Sequence, residues 1–224
     1  MEGKQKNQTN GPVRDDLNDR ASRSGGMLAL PRLILASGSP RRAEILRVVG
    51  WPFETLAVNI DESRLAGEDA AAYVQRLARE KAAAAAAKAP GKIIVGADTT
   101  VAIDSHVLEK PGDPDDARRM LQLLSDRWHR VLTGVALVYG DSMETKIAYE
   151  TTEVKFAVMG ESEIEWYVAT GEPMDKAGAY AIQGLGARFI EGIKGDYFNV
   201  MGLPVRLLYE LLTEVKAAAT TVTR

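Results

Sequence analysis

Residues 33–46 read LILASGSPRRAEIL, and this stretch decides the fold class of the chain. Residues 33–36 are apolar and favour a buried strand. Residues 37–39 (Ser-Gly-Ser) let the backbone turn tightly, and Pro40 suits the first turn of a helix. The stretch therefore predicts a strand, a tight turn and a helix in succession, which is typical of α/β proteins.

The same turn has the chemistry of an anion-binding site. The first N–H groups of a helix point at whatever lies over the turn, and the helix dipole favours negative charge there. Ser37 and Ser39 add hydroxyl donors, and the guanidinium groups of Arg41 and Arg42 can grip a phosphate with two parallel hydrogen bonds. We expect a phosphate ligand. The alternative is an ordinary strand–turn–helix capped by Ser39 with solvated arginines, since the glycine spacing matches neither phosphate-loop nor dinucleotide fingerprints.

Composition and charge restrict the function further. The chain has 224 residues, of which 46% are hydrophobic, and this is enough to bury a substantial core in one domain. Its formal net charge is −3. The chain therefore lacks the basic field that non-specific nucleic-acid binding needs. Any recognition of phosphate must be local.

Missing and rare residue types exclude other chemistry. The absence of cysteine excludes disulfides, thiolate metal sites and cysteine nucleophiles, and the imidazoles are those of His106 and His129 alone. No apolar run reaches membrane-spanning length. The N-terminal residues have neither the apolar core of a signal peptide nor the acid-poor composition of a transit peptide. We expect a cytoplasmic protein that binds neither nucleic acid nor membrane.

The chain is expected to have three segments. Residues 1–28 are polar and contain few apolar side chains, which predicts a disordered tail. Residues 29–216 form the expected domain, and residues 217–224 a C-terminal tail. The hydrophobic pattern predicts strands at 33–36, 53–58, 92–97, 99–103, 128–139 and 146–158, helices at 40–49, 68–88, 114–124, 161–170 and 203–216, and a loop over 171–197.

Two local patterns refine this α/β prediction. Residues 139–142 (YGDS) favour a hairpin between two strands, so the sheet is expected to be mixed and not purely parallel. The alanine run at 82–87 is explained by the helix propensity of alanine, and it predicts a simple helical surface.

Carboxylates that follow predicted strands are candidates for catalysis or metal binding. Asp98 follows the strand at 92–97, beside Gly96 and Ala97, which are too small to block a ligand. Ligands of open α/β sheets bind at strand ends, where an aspartate could bind a divalent ion or act as general base on a water. Glu62 follows another strand and could be a second oxygen ligand for Mg²⁺ or Mn²⁺. The alternative for Asp98 is a turn or helix-cap role.

Two lysines are candidates for the functional site. Lys110 precedes Pro111, which biases it toward an extended backbone where its ammonium could meet a phosphate. Lys81 lies on or beside the apolar stripe that Tyr73 and Leu77 form on a predicted helix, an unusual place for an unpaired charge. The alternatives are a solvated turn lysine for Lys110 and a snorkelling side chain for Lys81.

A long glycine-rich segment, residues 171–187, lies inside the domain. Loops of that length are usually functional or disordered, and the apolar anchors Tyr180 and Ile182 argue for order. Gln183 stands out because a side-chain amide offers both a donor and an acceptor to the edge of a base. The alternative is a generic structural glutamine.

Six motifs, taken together and in order, resemble the Maf family of nucleoside triphosphate pyrophosphatases over about residues 30–215. They are SGSPRR at 37–42, GADT at 96–99, KP at 110–111, DKAGAY at 175–180, IQG at 182–184 and GLP at 202–204. The resemblance implies cleavage of a nucleoside triphosphate to the monophosphate and pyrophosphate in the cytoplasm, with Mg²⁺ or Mn²⁺. It also implies a Maf/ITPase-like fold, in which an elongated mixed sheet is flanked by helices, the nucleotide cleft lies between two lobes, and the protein is commonly a homodimer.

The resemblance further implies roles for single residues. Asp98 matches the catalytic aspartate, which is the proton acceptor. Lys81 and Lys110 match other active-site positions, and we assign both to catalysis together with Asp98. Glu62 matches an active-site position as well, and we assign it to the metal together with Asp98. The residues assigned to the substrate are Ser37, Ser39, Arg41, Arg42, Thr99 and Gln183, of which Arg41, Thr99 and Gln183 match positions associated with substrate choice.

The Ile-Gln-Gly motif that contains Gln183 resembles the branch of the family that acts on dTTP and UTP. The branch that acts on 7-methyl-GTP typically carries an Ala-Glu-Gly-like form. We therefore expect dTTP, UTP or modified pyrimidine nucleotides as substrates, in a house-cleaning role.

An alternative drawn from the same resemblance is a nucleotide-binding regulator of cell division and septum formation with little turnover. Such a sensor needs the phosphate grip and the base-reading loop, but it does not need Asp98 beside a second carboxylate and lysines. Nucleic-acid binding through Arg41 and Arg42 fails, since one arginine pair cannot make the many phosphate contacts that a duplex requires. The sequence favours the enzyme.

Overall fold

The computed structural model describes residues 30–139 and 144–221, with side chains described as far as residue 213. The strands are β1 (Leu33–Leu35), β2 (Phe53–Thr55), β3 (Ile93–Ile103), β4 (His106–Leu108), β5 (Trp128–Tyr139), β6 (Thr145–Phe156) and β7 (Ile190–Lys194). The helices are α1 (Pro40–Val48), α2 (Ala70–Ala86), α3 (Pro114–Leu124), α4 (Glu161–Ala169), α5 (Tyr197–Met201) and α6 (Val205–Thr221). Short 3₁₀ turns lie at Glu172–Asp175, Ala177–Ala179 and Leu185–Phe189.

The strands form one mixed sheet in the order β2-β1-β3-β5-β6-β7, with β4 paired to β3. β1 runs parallel to β2 and β3, whereas β3 and β5, β5 and β6, and β6 and β7 pair antiparallel. Because successive side chains of a strand point to opposite faces, Ala102 of β3 packs with α2 and Val101 packs with α3 and α4. The predicted α/β fold, a mixed sheet flanked by helices, is confirmed.

One edge of β3 has a gap between two partner strands. β5 covers one edge of β3 from Ile93 to Ala102, so β1 and β4 share the other edge. β1 pairs with residues 93–95 and β4 with residues 101–103. Among the described strands, none pairs with residues 97–100 on that edge. A gap where one parallel neighbour ends is the kind of place where α/β sheets bind ligands.

Helix α2 lies unusually close to the sheet. A Cβ atom on Gly96 would stand 2.1 Å from the carbonyl oxygen of Ala78, and one on Gly134 would stand 2.3 Å from that of Val74. Both positions therefore require glycine for this close approach. Ala82 and Ala85 are fully buried against the sheet. The prediction of a simple helical surface at 82–87 was wrong, because small side chains here allow close packing.

The opposite face of the sheet carries the larger core. Helix α3 begins at Pro114 after Asp113, whose carboxylate accepts a hydrogen bond from the backbone N–H of Asp116 at 2.8 Å and caps the helix. Its apolar stripe and that of α4 pack against Phe156 and Phe189. This core supports the segment between α4 and β7, which forms one wall of the site described below.

The strand predictions differ from the structure near the site. The two strands expected at 92–97 and 99–103 are one continuous strand, β3, since Asp98 continues the ladder with β5 opposite Gly134. The strand expected at 53–58 ends at Thr55, and β4 was missed. Asp98 therefore lies inside a strand, and Glu62 lies in a loop well beyond β2. The prediction that both carboxylates end strands was wrong.

The predicted loop over 171–197 contains regular structure. It holds the 3₁₀ turns, the strand β7 and the first residue of α5. The last helix continues to Thr221, past residue 216 where its end was predicted. Residues 140–143 of the predicted hairpin and the predicted tail at 1–28 lie outside the described residues. Within the described part of the chain, no helix is long and apolar enough to cross a membrane.

Candidate active site

A cleft of about 400 Å³ opens at the gap on the edge of β3. Its walls come from the β1–α1 turn, the middle of β3, helix α2 and the segments 175–183 and 200–202. The cleft brings together all of the site residues predicted from sequence, which are Ser37, Ser39, Arg41, Arg42, Glu62, Lys81, Asp98, Thr99, Lys110 and Gln183. Gly96 and Ala97 are not among its lining residues, so their small size does not serve to admit a ligand.

Arg42 is the buried centre of one end of this cleft. Its guanidinium donates hydrogen bonds to the carbonyl oxygen of Gly202 (2.7 Å), to Ser37 Oγ (3.1 Å) and to Thr99 Oγ1 (3.1 Å). Only 8% of the residue is exposed. Burial lowers the pKa of Arg42, while the nearby charge of Asp98 raises it in part. Arg42 thus joins three segments, and its remaining N–H groups are available to an anion.

A directed series of hydrogen bonds continues from Arg42 into the protein. The hydroxyl of Thr133 donates to the carbonyl oxygen of Asn199 at 3.0 Å. The 3.0 Å contact between Thr99 and Thr133 therefore uses the Thr99 hydroxyl as the donor. Thr99 in turn accepts from Arg42. The position of the guanidinium is thus fixed through two strands and helix α5, and Thr133 and Asn199 were not identified from sequence.

The turn before α1 has the geometry of an anion site. Ser37 Oγ accepts a hydrogen bond from the backbone N–H of Ser39 at 3.2 Å. Ser39 is the N-cap residue of α1, and its side chain makes no capping hydrogen bond. The alternative of an ordinary turn capped by Ser39 is therefore excluded. The first turn of α1 faces the cleft with its N–H groups uncapped by that side chain.

Lys81 brings two carboxylates together on the other side of β3. Its Nζ atom lies 2.7 Å from Asp98 Oδ1 and 2.6 Å from Glu62 Oε1. Lys81 and Asp98 are both buried, whereas the Glu62 side chain is 47% exposed. Partial burial by itself raises the pKa of Glu62. The hydrogen bond to Lys81 and the charges of Lys81, Lys110 and Arg42 outweigh burial, so the pKa of Glu62 is lowered overall. The snorkelling alternative for Lys81 is excluded.

Side chains of α2 hold Glu62 in place. The hydroxyl of Tyr73 donates a hydrogen bond to the carbonyl oxygen of Glu62 at 2.8 Å. Arg76 donates to the carbonyl oxygen of Ser63 at 3.0 Å and forms an ion pair with Glu68 at 2.7 Å. The loop before α2 is thereby fastened to the helix. Tyr73 and Arg76 were not predicted as site residues, although the stripe containing Tyr73 and Lys81 was the available signal.

Two further predicted side chains, those of Lys110 and Gln183, are exposed at the mouth of the cleft. Lys110 is exposed, and its charge contributes to the lowered pKa of Glu62. Gln183 is exposed as well, between the buried Ile182 and the half-buried Gly184. Both side chains line the cleft and are accessible to a ligand.

Arg41 differs from its neighbour because it reaches across the cleft. Its guanidinium donates to Asp175 Oδ2 at 3.1 Å, and Asp175 Oδ1 also accepts from Lys176 at 2.6 Å. The Arg41 side chain is 24% exposed and that of Asp175 is 64% exposed. This ion pair closes over the mouth, and Asp175 was not identified from sequence. A phosphate that binds Arg41 competes with the Asp175 carboxylate for the same N–H groups.

The carboxylate pair fits a divalent metal ion that binds with a nucleotide. In the described residues, no group of three or more His, Asp or Glu side chains could hold a metal ion by itself. Glu62 and Asp98 contact the same Lys81 nitrogen, so their oxygens are neighbours at the cleft. Mg²⁺ is commonly bound by one or two carboxylates together with substrate phosphates and waters. The pair supplies that number of carboxylates.

Comparisons with known proteins identify the family. The profile of the Maf-like protein family matches residues 32–215, and the chain belongs to this family. A relative from Symbiobacterium thermophilum named dTTP/UTP pyrophosphatase is 51% identical over 83% of this chain and 94% of its own length. A relative from Vibrio cholerae with the same name is 48% identical over 82% of this chain and 96% of its own length. The resemblance inferred from the six motifs is confirmed.

Among solved structures, the Ham1 protein of Staphylococcus aureus matches with a TM-score of 0.44 and 14% sequence identity. The match covers 82% of this chain and 98% of that protein. A HAM1 protein from Coxiella burnetii matches with a TM-score of 0.43 and 17% identity over 58% of this chain and 75% of its own.

Proposed function

We propose that this protein hydrolyses dTTP and UTP to the monophosphates and pyrophosphate in the cytoplasm. The names of its relatives support this activity, since they are about 50% identical to the chain over most of its length. The observation that carries the proposal is the cleft itself. It presents a buried arginine and an uncapped helix start beside two carboxylates that share one lysine. The arginine and the helix start suit binding of a polyphosphate. The two carboxylates suit activation of a water that attacks it.

The phosphates would bind at the β1–α1 turn. The remaining N–H groups of Arg42 and the first N–H groups of α1 donate to phosphate oxygens there. Arg41 joins them when it releases Asp175, and Lys110 supplies a further positive charge from the mouth of the cleft. This arrangement orients the triphosphate so that its α-phosphate lies toward the carboxylate pair.

Asp98 would act as general base on the attacking water. Its hydrogen bond to Lys81 fixes the carboxylate in place and provides a counter-charge. Glu62 and Asp98 would hold Mg²⁺ or Mn²⁺, which when bound stabilises the negative charge that develops on the phosphates. Lys81 keeps both carboxylates directed to one point of the cleft.

Gln183 would read the base. Thymine and uracil present an acceptor at O4 and a donor at N3, and a side-chain amide matches both with its NH₂ and C=O groups. Its exposed position on the wall of the cleft leaves the amide accessible for this contact. Modified pyrimidines that keep O4 and N3–H fit the same rule.

The regulator of cell division is not favoured as an alternative. A sensor with little turnover gains nothing from a lysine that holds two carboxylates at the phosphate end of the site. We include a homodimer in the proposal on the family resemblance, and sedimentation velocity of the purified protein tests it.

Product analysis tests the proposed reaction. Purified protein is incubated with dTTP or UTP and Mg²⁺, and the products are separated by ion-exchange chromatography. We expect the monophosphate and pyrophosphate in equal amounts, no release in excess EDTA, and restoration by added Mg²⁺ or Mn²⁺. The Asp98→Asn variant is the control for a contaminating enzyme. Release of inorganic phosphate with a nucleoside diphosphate, or binding without turnover, would contradict the proposal.

A further inference from the structure

Residues 181–186, here called the Gln183 loop, are fastened on both sides of Gln183 by one pair of side chains. Tyr167 lies on α4, and Glu172 lies in the 3₁₀ turn that follows. Neither residue is among those that line the cleft. Both were left without a role by the sequence analysis and by the proposed reaction.

The hydrogen bonds of this pair reach three backbone N–H groups. Before Gln183, the N–H of Ala181 donates to Tyr167 Oη at 3.1 Å. After Gln183, the N–H of Leu185 donates to Glu172 Oε2 at 2.9 Å, and the N–H of Gly186 donates to Oε1 at 3.0 Å. The Tyr167 hydroxyl donates to Glu172 Oε1 at 2.8 Å, which joins the two attachments.

The glycines of the loop permit this close approach. A Cβ atom on Gly184 would stand 2.3 Å from Glu172 Oε2, and one on Gly186 would stand 2.5 Å from Tyr167 Oη. The glycine-rich sequence therefore brings the backbone against the phenol and the carboxylate.

The charge states of the pair suit these bonds. Burial by itself raises the pKa of Glu172. The hydrogen bonds from Leu185, Gly186 and Tyr167 outweigh burial, so the pKa of Glu172 is lowered overall. Burial raises the pKa of Tyr167. At neutral pH the carboxylate is therefore an acceptor for all three donors, and the phenol keeps the proton that it donates.

We propose that Glu172, acting with Tyr167, is a positioning residue for base recognition: it fixes the Gln183 loop so that the Gln183 amide meets the pyrimidine edge. This inference rests on the proposed function, in which Gln183 reads the base. Glu172 touches neither the reacting phosphates nor the carboxylate pair. Its loss therefore affects the choice of base more than the chemistry of hydrolysis.

The first test is substrate selectivity in the Glu172→Gln variant. A glutamine has one acceptor oxygen, so its NH₂ group faces at least one N–H donor of the loop and that bond is lost. We expect kcat/KM for dTTP and UTP to fall about tenfold, mainly through KM, with less than about a twofold change for GTP. Tyr167→Phe should shift the selectivity in the same direction.

Glu165→Gln is the matched control. Glu165 lies on α4, pairs with Arg118 at 2.6 Å and does not line the cleft. We expect its selectivity to equal that of the unmodified protein. An equal loss on dTTP, UTP and GTP in Glu172→Gln would overturn the inference, because it would show a general structural role. Unchanged selectivity would overturn it as well.

A second test does not depend on turnover. Hydrogen exchange measured by NMR should speed up about tenfold or more at the N–H group of Leu185 or Gly186 in Glu172→Gln and at that of Ala181 in Tyr167→Phe, while that of Ala102 in β3 is unchanged. Unchanged exchange at the loop would show that Glu172 does not fasten it. If the unmodified protein hydrolyses no nucleotide, the proposed function fails, whereas this exchange result stands by itself.

Gly184→Ala sharpens the assignment. The added Cβ displaces the Glu172 carboxylate, so this variant should reproduce the loss of selectivity of Glu172→Gln. In the double variant the two losses should not add, because both break the same contact. Fully additive losses would contradict a common cause.

Discussion

The two arginines of the β1–α1 turn belong to different parts of the cleft, and their comparison explains how the site is built. Arg42 is buried and bonded to three segments of the protein. Arg41 is partly exposed and pairs with Asp175 across the mouth of the cleft, and the Asp175 side chain is mostly exposed. The phosphate end is thus part of the core, whereas the wall that carries Gln183 is a loop segment held by other side chains.

The comparison separates the residues proposed for phosphate chemistry from those proposed for base recognition. In the proposed function, chemistry on the phosphates is the same for every nucleoside triphosphate, and most of its residues lie on β3, α1 and α2. The proposed choice of base lies on a segment between α4 and β7 that is fixed by a few hydrogen bonds. Sites on regular elements are held more firmly than sites on loops.

Asp98→Asn gives the largest expected effect and tests the core side of the comparison. The amide keeps the shape of the carboxylate but neither takes a proton nor carries the charge that a metal ion requires. We expect kcat to fall by about 10²–10⁴ for dTTP and UTP alike. Steady-state kinetics measures the loss, and circular dichroism checks that the fold is intact. Near-normal turnover would remove Asp98 from the mechanism.

Replacing each arginine in turn sharpens the comparison directly. Arg42→Ala removes the guanidinium donor from the Gly202 carbonyl and from the Ser37 and Thr99 hydroxyls and empties a buried site, so the free energy of unfolding should fall by about 3 kcal/mol or more. Arg41→Ala removes one partly exposed ion pair, and its cost should be below about 1 kcal/mol. Urea denaturation measures both values.

Two further measurements should distinguish the roles of Arg41 and Arg42. Arg41→Ala is expected to raise KM for the triphosphate, because a charge-assisted hydrogen bond is lost. Arg42→Lys keeps the charge of Arg42 but lacks the planar fork, so it should still be destabilised. Equal stability losses in Arg41→Ala and Arg42→Ala would refute the distinction between core and loop.

Gln183→Glu tests the loop side and should cost about 1–3 kcal/mol in kcat/KM for dTTP and UTP. A carboxylate cannot donate to O4 of the pyrimidine. Bases that present donors, such as the N1–H and N2–H₂ edge of guanine, should suffer less. The measurement compares kcat/KM for dTTP, UTP, GTP and 7-methyl-GTP. A uniform drop would assign Gln183 to loop structure.

The last prediction is a pH dependence of stability at the base of the same wall. His129 is buried and its Nε2 lies 2.8 Å from the hydroxyl of Tyr180, which lines the cleft. Burial lowers the pKa of His129 from 6.5 to about 3. Below pH 6.5 the unfolded chain binds a proton that the folded protein excludes. The free energy of unfolding should therefore fall by about 1.4 kcal/mol per pH unit between pH 6.5 and 3 from this group.

His129→Gln removes this titration and should flatten the stability profile over that range. His106→Gln is the control, because His106 is exposed on β4. Urea denaturation at pH 7, 6 and 5 provides the values. A profile for His129→Gln that runs parallel to that of the unmodified protein would show that His129 does not contribute.

The local elements could be predicted because their causes are local. The apolar run at 33–36, the small turn and Pro40 specify β1 and α1, and Asp113 with Pro114 specifies the start of α3. The predicted bounds of α3, 114–124, agree with the structure for this reason. All ten site residues chosen from sequence line the cleft. Eight of them lie in the six motifs, whose order is characteristic of the family, and Glu62 and Lys81 lie outside these motifs.

The sequence-based predictions failed where contacts between residues distant in the chain determine the local structure. The prediction divided β3 at Asp98, a residue type that disfavours strands, yet the pairing with β5 continues through this position. Glu62 was placed at a strand end, whereas Tyr73 and Arg76 of α2 hold it in a loop. No pattern in the neighbouring sequence contains that information.

The sequence by itself determined the α/β class, the family and the chemical types present at the site, since these follow from local propensity and from motifs. Only the tertiary structure decided which side chains act together. Lys81, Glu62 and Asp98 meet because α2 lies close to β3 over Gly96. The neighbours Arg41 and Arg42 separate because successive residues of a helix point in different directions, one toward the mouth of the cleft and one into the core.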